Sequence, residues 1–187
     1  MATYQQQDMN NVPKHILAIS GSTRADSSNA QLLRIMAALA GDRWNMTFYN
    51  QLDQLPHFNP DLNRGNVPEQ VSVLRAAIEA ADGVIICTPE YVFSLPGSLK
   101  NLLEWLVSTT LLTDKPTALV TASASGEKAH DALQLVVGTL QARFTPATTL
   151  LISGVRGKLA PDGHLTDVPT EMALAQLVDA FTVLLSR

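Results

Sequence analysis

The chain of 187 residues contains one cysteine, Cys87, so no disulfide can form within it and a cysteine-rich metal site is excluded. Aromatic residues make up only 5%, too few for a base-stacking platform. A basic excess is missing as well. Lys plus Arg number 13 against 17 for Asp plus Glu, a net charge of −4, which argues against nucleic acid as the main partner. No apolar run reaches the ~18 residues of a membrane span. The opening MATYQQQDMNNVPK lacks the hydrophobic centre of a signal peptide. The expectation is a cytoplasmic protein without a membrane partner. His15, His57, His130 and His164 are scattered, with no metal-ligand spacing. What the chain does have is apolar bulk, at 46% of residues, enough for one sizeable core. Residues 1–13 precede any periodic pattern and read as a flexible N-terminal arm, with one domain over 14–187.

Short apolar runs alternate with helical spacing along that domain. Residues 15–20 (HILAIS) predict a first strand, and apolar positions at 32, 33, 36, 39 and 40 predict a helix over 29–40. A weakly alternating strand at 44–49 and a long polar loop, 50–67, lead to a helix over 68–81. Residues 83–88 (GVIICT) are a fully apolar strand. A helix over 96–108, a strand over 116–122, a helix over 127–142, a strand over 147–153 and a closing helix over 169–186 complete the series. Strands apolar on both faces, each followed by a helix, indicate an α/β protein with a parallel sheet covered on both sides. Five such strands suit a three-layer, doubly wound, five-stranded domain, and right-handed crossovers make the flavodoxin-like order 2-1-3-4-5 the simplest candidate.

Ligands of such sheets sit beyond the carboxyl ends of the strands, near the switch point. Three loops are expected at that edge. The first, Ser20-Gly21-Ser22-Thr23-Arg24-Ala25-Asp26-Ser27-Ser28-Asn29, packs hydroxyls, a guanidinium and an amide ahead of a helix N-terminus. The unpaired first-turn N–H groups of that helix carry partial positive charge, so the loop is a candidate phosphate site. It contains neither the Gly-Lys-Ser/Thr of a nucleoside-triphosphate loop nor the GxGxxG of a dinucleotide fold. The alternative is that Ser27 or Ser28 merely caps the helix, but a lone cap would not call for Ser22, Thr23 and Arg24 as well. The second loop, Pro89-Glu90-Tyr91-Val92-Phe93-Ser94-Leu95-Pro96, is stiffened by two prolines and can offer its backbone edge to a planar ring. Its Tyr91 and Phe93 could also close the core. The third, Ser123-Ala124-Ser125-Gly126, is small and hydroxyl-rich, and a capping turn would read the same way.

Gly21-Ser22-x-Arg24-x-x-Ser27-x-Asn29, followed by Thr88-Pro89-Glu90-Tyr91, then Ser94, Pro96-Gly97, Leu99-Lys100-Asn101 and Trp105, resembles the NAD(P)H-dependent FMN reductase family. That family includes quinone, chromate and azo-dye reductases. The resemblance implies a flavodoxin-like fold, one non-covalent FMN per subunit, NADPH or NADH as co-substrate, and dimers or tetramers. Ser22, Arg24, Ser27 and Asn29 match the residues that hold the FMN phosphate, with Thr23 and Ser28 in the same loop. Pro89, Glu90 and Tyr91 match the loop along the isoalloxazine ring, which Val92 and Phe93 continue. Ser123, Ser125 and Gly126 correspond in place. Two positions depart from the pattern: Val92 stands where the family commonly has Asn, and Gly126-Glu127 where it often has Gly-Gly.

The activity implied is hydride transfer from NAD(P)H to FMN, then two-electron reduction of a small acceptor such as a quinone, with donor and acceptor using one site in turn. That chemistry needs no protein general base, so no catalytic residue is named. The alternatives are a flavodoxin-type electron carrier and a non-enzymatic flavin-binding or sensor protein. Cys87, inside an apolar strand, is expected to be an inert buried thiol. Trp105 lies off the apolar stripe Leu99, Leu102, Leu103 and Leu106, which suggests a partner surface on that helix, with ordinary core packing as the alternative.

Overall fold

Among the described residues, five strands and five α-helices alternate from Lys14 onward, with short 3-10 turns between some of them. The computed structural model describes residues 12–186, so most of the expected arm, 1–13, lies outside the described residues. The elements are β1 (Lys14–Ser20), α1 (Ser28–Ala40), β2 (Trp44–Tyr49), α2 (Glu69–Ala80), β3 (Gly83–Thr88), α3 (Gly97–Glu104), β4 (Thr117–Ser123), α4 (Glu127–Thr139), β5 (Thr149–Ser153) and α5 (Val168–Leu185). Every strand pairing is parallel and the order is β2-β1-β3-β4-β5, as the sequence pattern predicts.

Burial explains the pattern of each strand. The central β3 is buried at all six positions, whereas the edge strands β2 and β5 are only partly covered. On one face α1 and α5 bring Leu32, Leu33, Met36, Leu174 and Phe181 against Ile16, Ile85 and Val120. On the other, α2, α3 and α4 bring Leu74, Ile78, Leu99, Leu102 and Leu133 against Leu17, Val84 and Leu119. Each such side chain contributes roughly 1.5–3 kcal/mol on leaving water. Among the described residues α5 is the one helix long and apolar enough to cross a membrane, yet here it packs on the sheet and exposes Glu171 and Asp179.

Several boundaries differ from the spacing-based expectation. Helix α3 ends at Glu104 and continues as turns, rather than running to residue 108. Helix α4 ends at Thr139, and Gln141 takes a left-handed φ of 62° that the helix cannot accommodate. Pro146–Thr148 forms a 3-10 turn ahead of β5, so that strand begins at Thr149.

Trp105 does not form the partner surface expected of it. It is fully buried inside its own subunit, not displayed to a partner. The face of α3 off the apolar stripe is covered by the long loop after β2. Trp105 Nε1 donates to the Pro56 carbonyl at 2.8 Å, and its ring meets Phe58 edge-on with centroids 5.2 Å apart. Asn101 completes the clamp, donating to the Pro56 carbonyl at 3.0 Å and accepting from Phe58 N–H at 2.7 Å.

Candidate functional site

The carboxyl ends of β1, β3, β4 and β5 open on a cleft of about 510 Å³. Its walls come from the first loop (Ser22, Arg24, Ser27, Ser28, Asn29), the second (Pro89, Glu90, Tyr91) and the end of β4 (Ala122, Ser123, Ala124). A fourth segment, Gly154-Val155-Arg156-Gly157 after β5, also lines it. Sequence reasoning passed over this last segment. Its signal was two glycines around an arginine at the end of a strand on the ligand edge.

The first loop is held by close approach of backbones. Gly21 N–H donates to the Cys87 carbonyl at 2.8 Å. A Cβ at Gly21 would collide with Thr88 Oγ1 and come within 2.8 Å of Thr88 Cβ, so glycine is needed here for space. Ser22 Oγ accepts from Arg24 N–H at 3.3 Å, and Ser27 Oγ accepts from Ala30 N–H at 3.0 Å, which makes Ser27 the N-cap of α1. Accepting from the backbone leaves each hydroxyl proton free to donate outward. The Ser28 and Asn29 N–H groups, in the first turn of α1, have no backbone partner among the described residues. Arg24 is exposed and takes part in no ion pair among the described residues. Hydroxyl protons, helix N–H groups and a guanidinium thus converge, which is the chemistry of an oxyanion site.

Asn29 plays a different part from its neighbours. Its buried side chain donates to the Ala122 carbonyl at 3.4 Å and accepts from the Cys87 thiol at 3.2 Å. The amide therefore ties the start of α1 to β3 and β4. Burial pushes the Cys87 thiol far above its ordinary pKa, so it stays neutral and inert.

The second loop turns sharply at its tip. Tyr91 and Ser94 exchange reciprocal backbone hydrogen bonds, both 3.0 Å, around Val92 and Phe93. Both tip residues have positive φ, 52° and 54°, as a type I′ turn requires. That conformation is costly for a β-branched valine and easy for the asparagine usual in the resembled family. Val92 is 95% exposed and Phe93 77%, so neither closes the core, and Tyr91 is half-exposed on the cleft wall.

Glu90 reaches across to α4. Its carboxylate accepts from Gly126 N–H at 3.3 Å and Ala129 N–H at 3.0 Å, and so caps that helix from a different loop. Ser123 Oγ donates to the Glu90 carbonyl at 3.5 Å. Gly126 takes φ 99°, and a Cβ there would lie 2.8 Å from Leu151 Cδ1, so the turn into α4 requires glycine. With Glu90 in place, the N-terminus of α4 is already supplied with an anion, whereas that of α1 is open.

Of the other sequence-expected residues, Thr23 lines a neighbouring depression of about 390 Å³ shared with Arg24, Arg34, Tyr49 and Asp53. Val92, Phe93, Ser125 and Gly126 stand outside the walls of the main cleft. Burial and the nearby Asp53 push Tyr49 up to about 12.

Comparison with known proteins gives a consistent picture. The profile of a family described as NADPH-dependent FMN reductase matches residues 15–157. The NADH:(hydroxy)cinnamate reductase subunit CrdA of Vibrio ruber is 35% identical over 171 residues, covering 88% of this chain and 82% of that protein. A quinone reductase of Escherichia coli is 27% identical, covering 92% of this chain and 95% of its own length. Among solved structures, the NAD(P)H:(acceptor) oxidoreductase FerB of Paracoccus denitrificans superposes with a TM-score of 0.75 at 29% identity, over 92% of this chain and 97% of that one.

Proposed function

The chain belongs to the NADPH-dependent FMN reductase family, and on that footing we propose that it is an FMN-dependent NAD(P)H oxidoreductase that reduces quinone-like acceptors. The observation that carries the proposal is the donor set at the β1–α1 turn. The hydroxyls of Ser22 and Ser27, whose protons are not used within the loop, the first turn of α1 and Arg24 all line one cleft. A phosphate monoester satisfies that set, and a cleft of about 510 Å³ is in the range that holds a mononucleotide. Ser22, Arg24, Ser27 and the backbone of Ser28 and Asn29 would hold the phosphate. Pro89, Glu90, Tyr91 and Ser123 would border the ring.

When bound, FMN supplies two-electron chemistry that no side chain here possesses, with NAD(P)H as donor. The chain's own residues bind and orient. Glu90, fixed on the α4 N–H groups, holds the second loop at a set height above the sheet edge. Asn29 fixes the start of α1 relative to β3 and β4. In the overall reaction NAD(P)H loses a hydride, and a quinone gains two electrons and two protons, one of which comes from water. Donor and acceptor share the open side of one cleft, so they are expected to bind in turn. A homodimer or homotetramer in the cytoplasm belongs to the same proposal. Its support is the family resemblance alone now that Trp105 proves internal, and light scattering tests the assembly.

The direct test is to titrate apoprotein with FMN and with riboflavin, then follow NADPH and NADH oxidation with a quinone. Tighter binding of FMN and parallel double-reciprocal lines are expected. Intersecting lines would require a second donor site. FMN binding without NAD(P)H turnover would favour an electron carrier.

A further inference from the structure

Arg156 lines the cleft from the turn after β5, whereas the phosphate loop follows β1. The order β1-β3-β4-β5 separates the ends of β1 and β5 by three strand spacings, about 14 Å. The turn that presents Arg156 is firmly held. Gly154, at φ 67°, donates its N–H to the Ala124 carbonyl at 3.1 Å, Gly157 N–H donates to the Gly154 carbonyl at 3.0 Å, and Val155 is buried beneath. Ser153 Oγ adds a bond to the Ser125 carbonyl at 2.8 Å. Arg156 itself is exposed and takes part in no ion pair among the described residues. Among the described residues the one acid on the cleft wall, Glu90, already accepts from the Gly126 and Ala129 N–H groups at the start of α4. An uncompensated guanidinium on a rigid turn therefore lines the cleft, and a single phosphate at the Arg24 end does not account for it.

We propose that Arg156 binds an anionic group of the substrate that shares the cleft with FMN: a phosphate of the dinucleotide donor or an acidic substituent of the acceptor. The inference rests on the oxidoreductase reading above and adds a specificity-determining residue to it. A guanidinium fork takes up a carboxylate, sulfonate or phosphate through two charge-assisted hydrogen bonds, which a neutral substrate cannot offer.

The test compares the FMN-loaded parent with Arg156→Gln and Arg156→Lys. Where the two substrates bind in turn, kcat/KM for donor and for acceptor are read independently. The donor arm sets NADPH and NADH against 1-benzyl-1,4-dihydronicotinamide, which has no phosphate. The acceptor arm sets 1,4-naphthoquinone-2-sulfonate against the neutral 2-methyl-1,4-naphthoquinone. Arg156→Gln is expected to lower kcat/KM about tenfold or more for the anionic member of one pair and to leave the neutral member nearly unchanged, with Arg156→Lys in between. Equilibrium titration of the FMN-loaded proteins with NADP+ and with naphthalene-2-sulfonate, read as a flavin difference spectrum, should weaken for the same ligand class. A loss in the donor arm identifies the phosphate as the group bound, and a loss in the acceptor arm identifies the acidic substituent. Equal loss for charged and neutral members, or no loss in either arm, overturns the proposal. So does a weakened FMN titration of the Arg156→Gln apoprotein, which would put Arg156 on FMN itself. A parent that binds no FMN at all would instead refute the oxidoreductase reading, and the titration of the parent separates that case.

Discussion

Removing the Glu90 carboxylate should cost stability before any ligand is added. It accepts from Gly126 and Ala129 N–H, at 3.3 and 3.0 Å, and these are donors that α4 cannot satisfy internally. Losing an N-cap typically costs about 1 kcal/mol, and the second charge-assisted bond adds a similar amount, so Glu90→Ala should destabilise the apoprotein by about 2 kcal/mol. Glu90→Gln retains one acceptor oxygen and loses the favourable charge at the helix N-terminus, for about 1 kcal/mol. At this chain length each kcal/mol moves the midpoint by roughly 2–4 °C, so Tm should fall about 4–8 °C for the alanine variant and about half that for glutamine. Calorimetry and urea melts of both apoproteins measure this, with an unchanged urea slope confirming that the native state is intact. FMN affinity should fall in parallel, because the second loop loses its anchor on α4. An alanine variant that melts with the parent yet binds FMN more weakly would refute the reasoning. It would mean that the carboxylate serves the ligand and not the helix.

Arg24→Ala should weaken FMN binding by about 2 kcal/mol and leave riboflavin binding unchanged, since only FMN brings the phosphate; equal weakening of both in fluorescence titrations would remove Arg24 from the phosphate site. Trp105→Ala should cost about 3–5 kcal/mol in urea denaturation, because it empties a fully buried site and frees the Pro56–Phe58 clamp. A change in oligomeric state without that loss would return Trp105 to a partner surface. Val92→Gly should raise stability by up to about 1 kcal/mol, since φ 52° is strained for valine and open to glycine, and a lower Tm would show that the turn is not left-handed. Tyr49 is raised from 10.0 to about 12 in the folded protein, so the stability it contributes is full below pH 10 and is lost as pH climbs toward 12. Phenolate absorbance should show one of the three tyrosines ionising only near pH 12, and a single titration at the ordinary tyrosine value would contradict its burial.

Much of the architecture was legible because it depends on short-range pattern. The short apolar run GVIICT, set between two helical segments, reads as a strand covered on both sides, and β3 is buried throughout. The period of 29–40 gives a helix with one inward face, and Ser27 caps it through a contact three residues away. Strand–helix alternation then restricts the sheet to few orders and places the loops after β1, β3 and β4 on one edge. Three features required the folded chain. Trp105 lies off the stripe of α3, and only the packing of the loop after β2 shows that its face is covered internally. Glu90 looked like part of a ligand loop, and its partners Gly126 and Ala129 lie more than thirty positions away on another helix. Arg156 acquires its neighbours because β5 ends beside β4, which carries a plain surface-type residue into the cleft wall. Periodicity records which side of an element faces inward, because burial of apolar surface selects it residue by residue along the chain. Which distant groups then meet at an edge is decided by sheet order and loop packing, and no local pattern encodes those contacts.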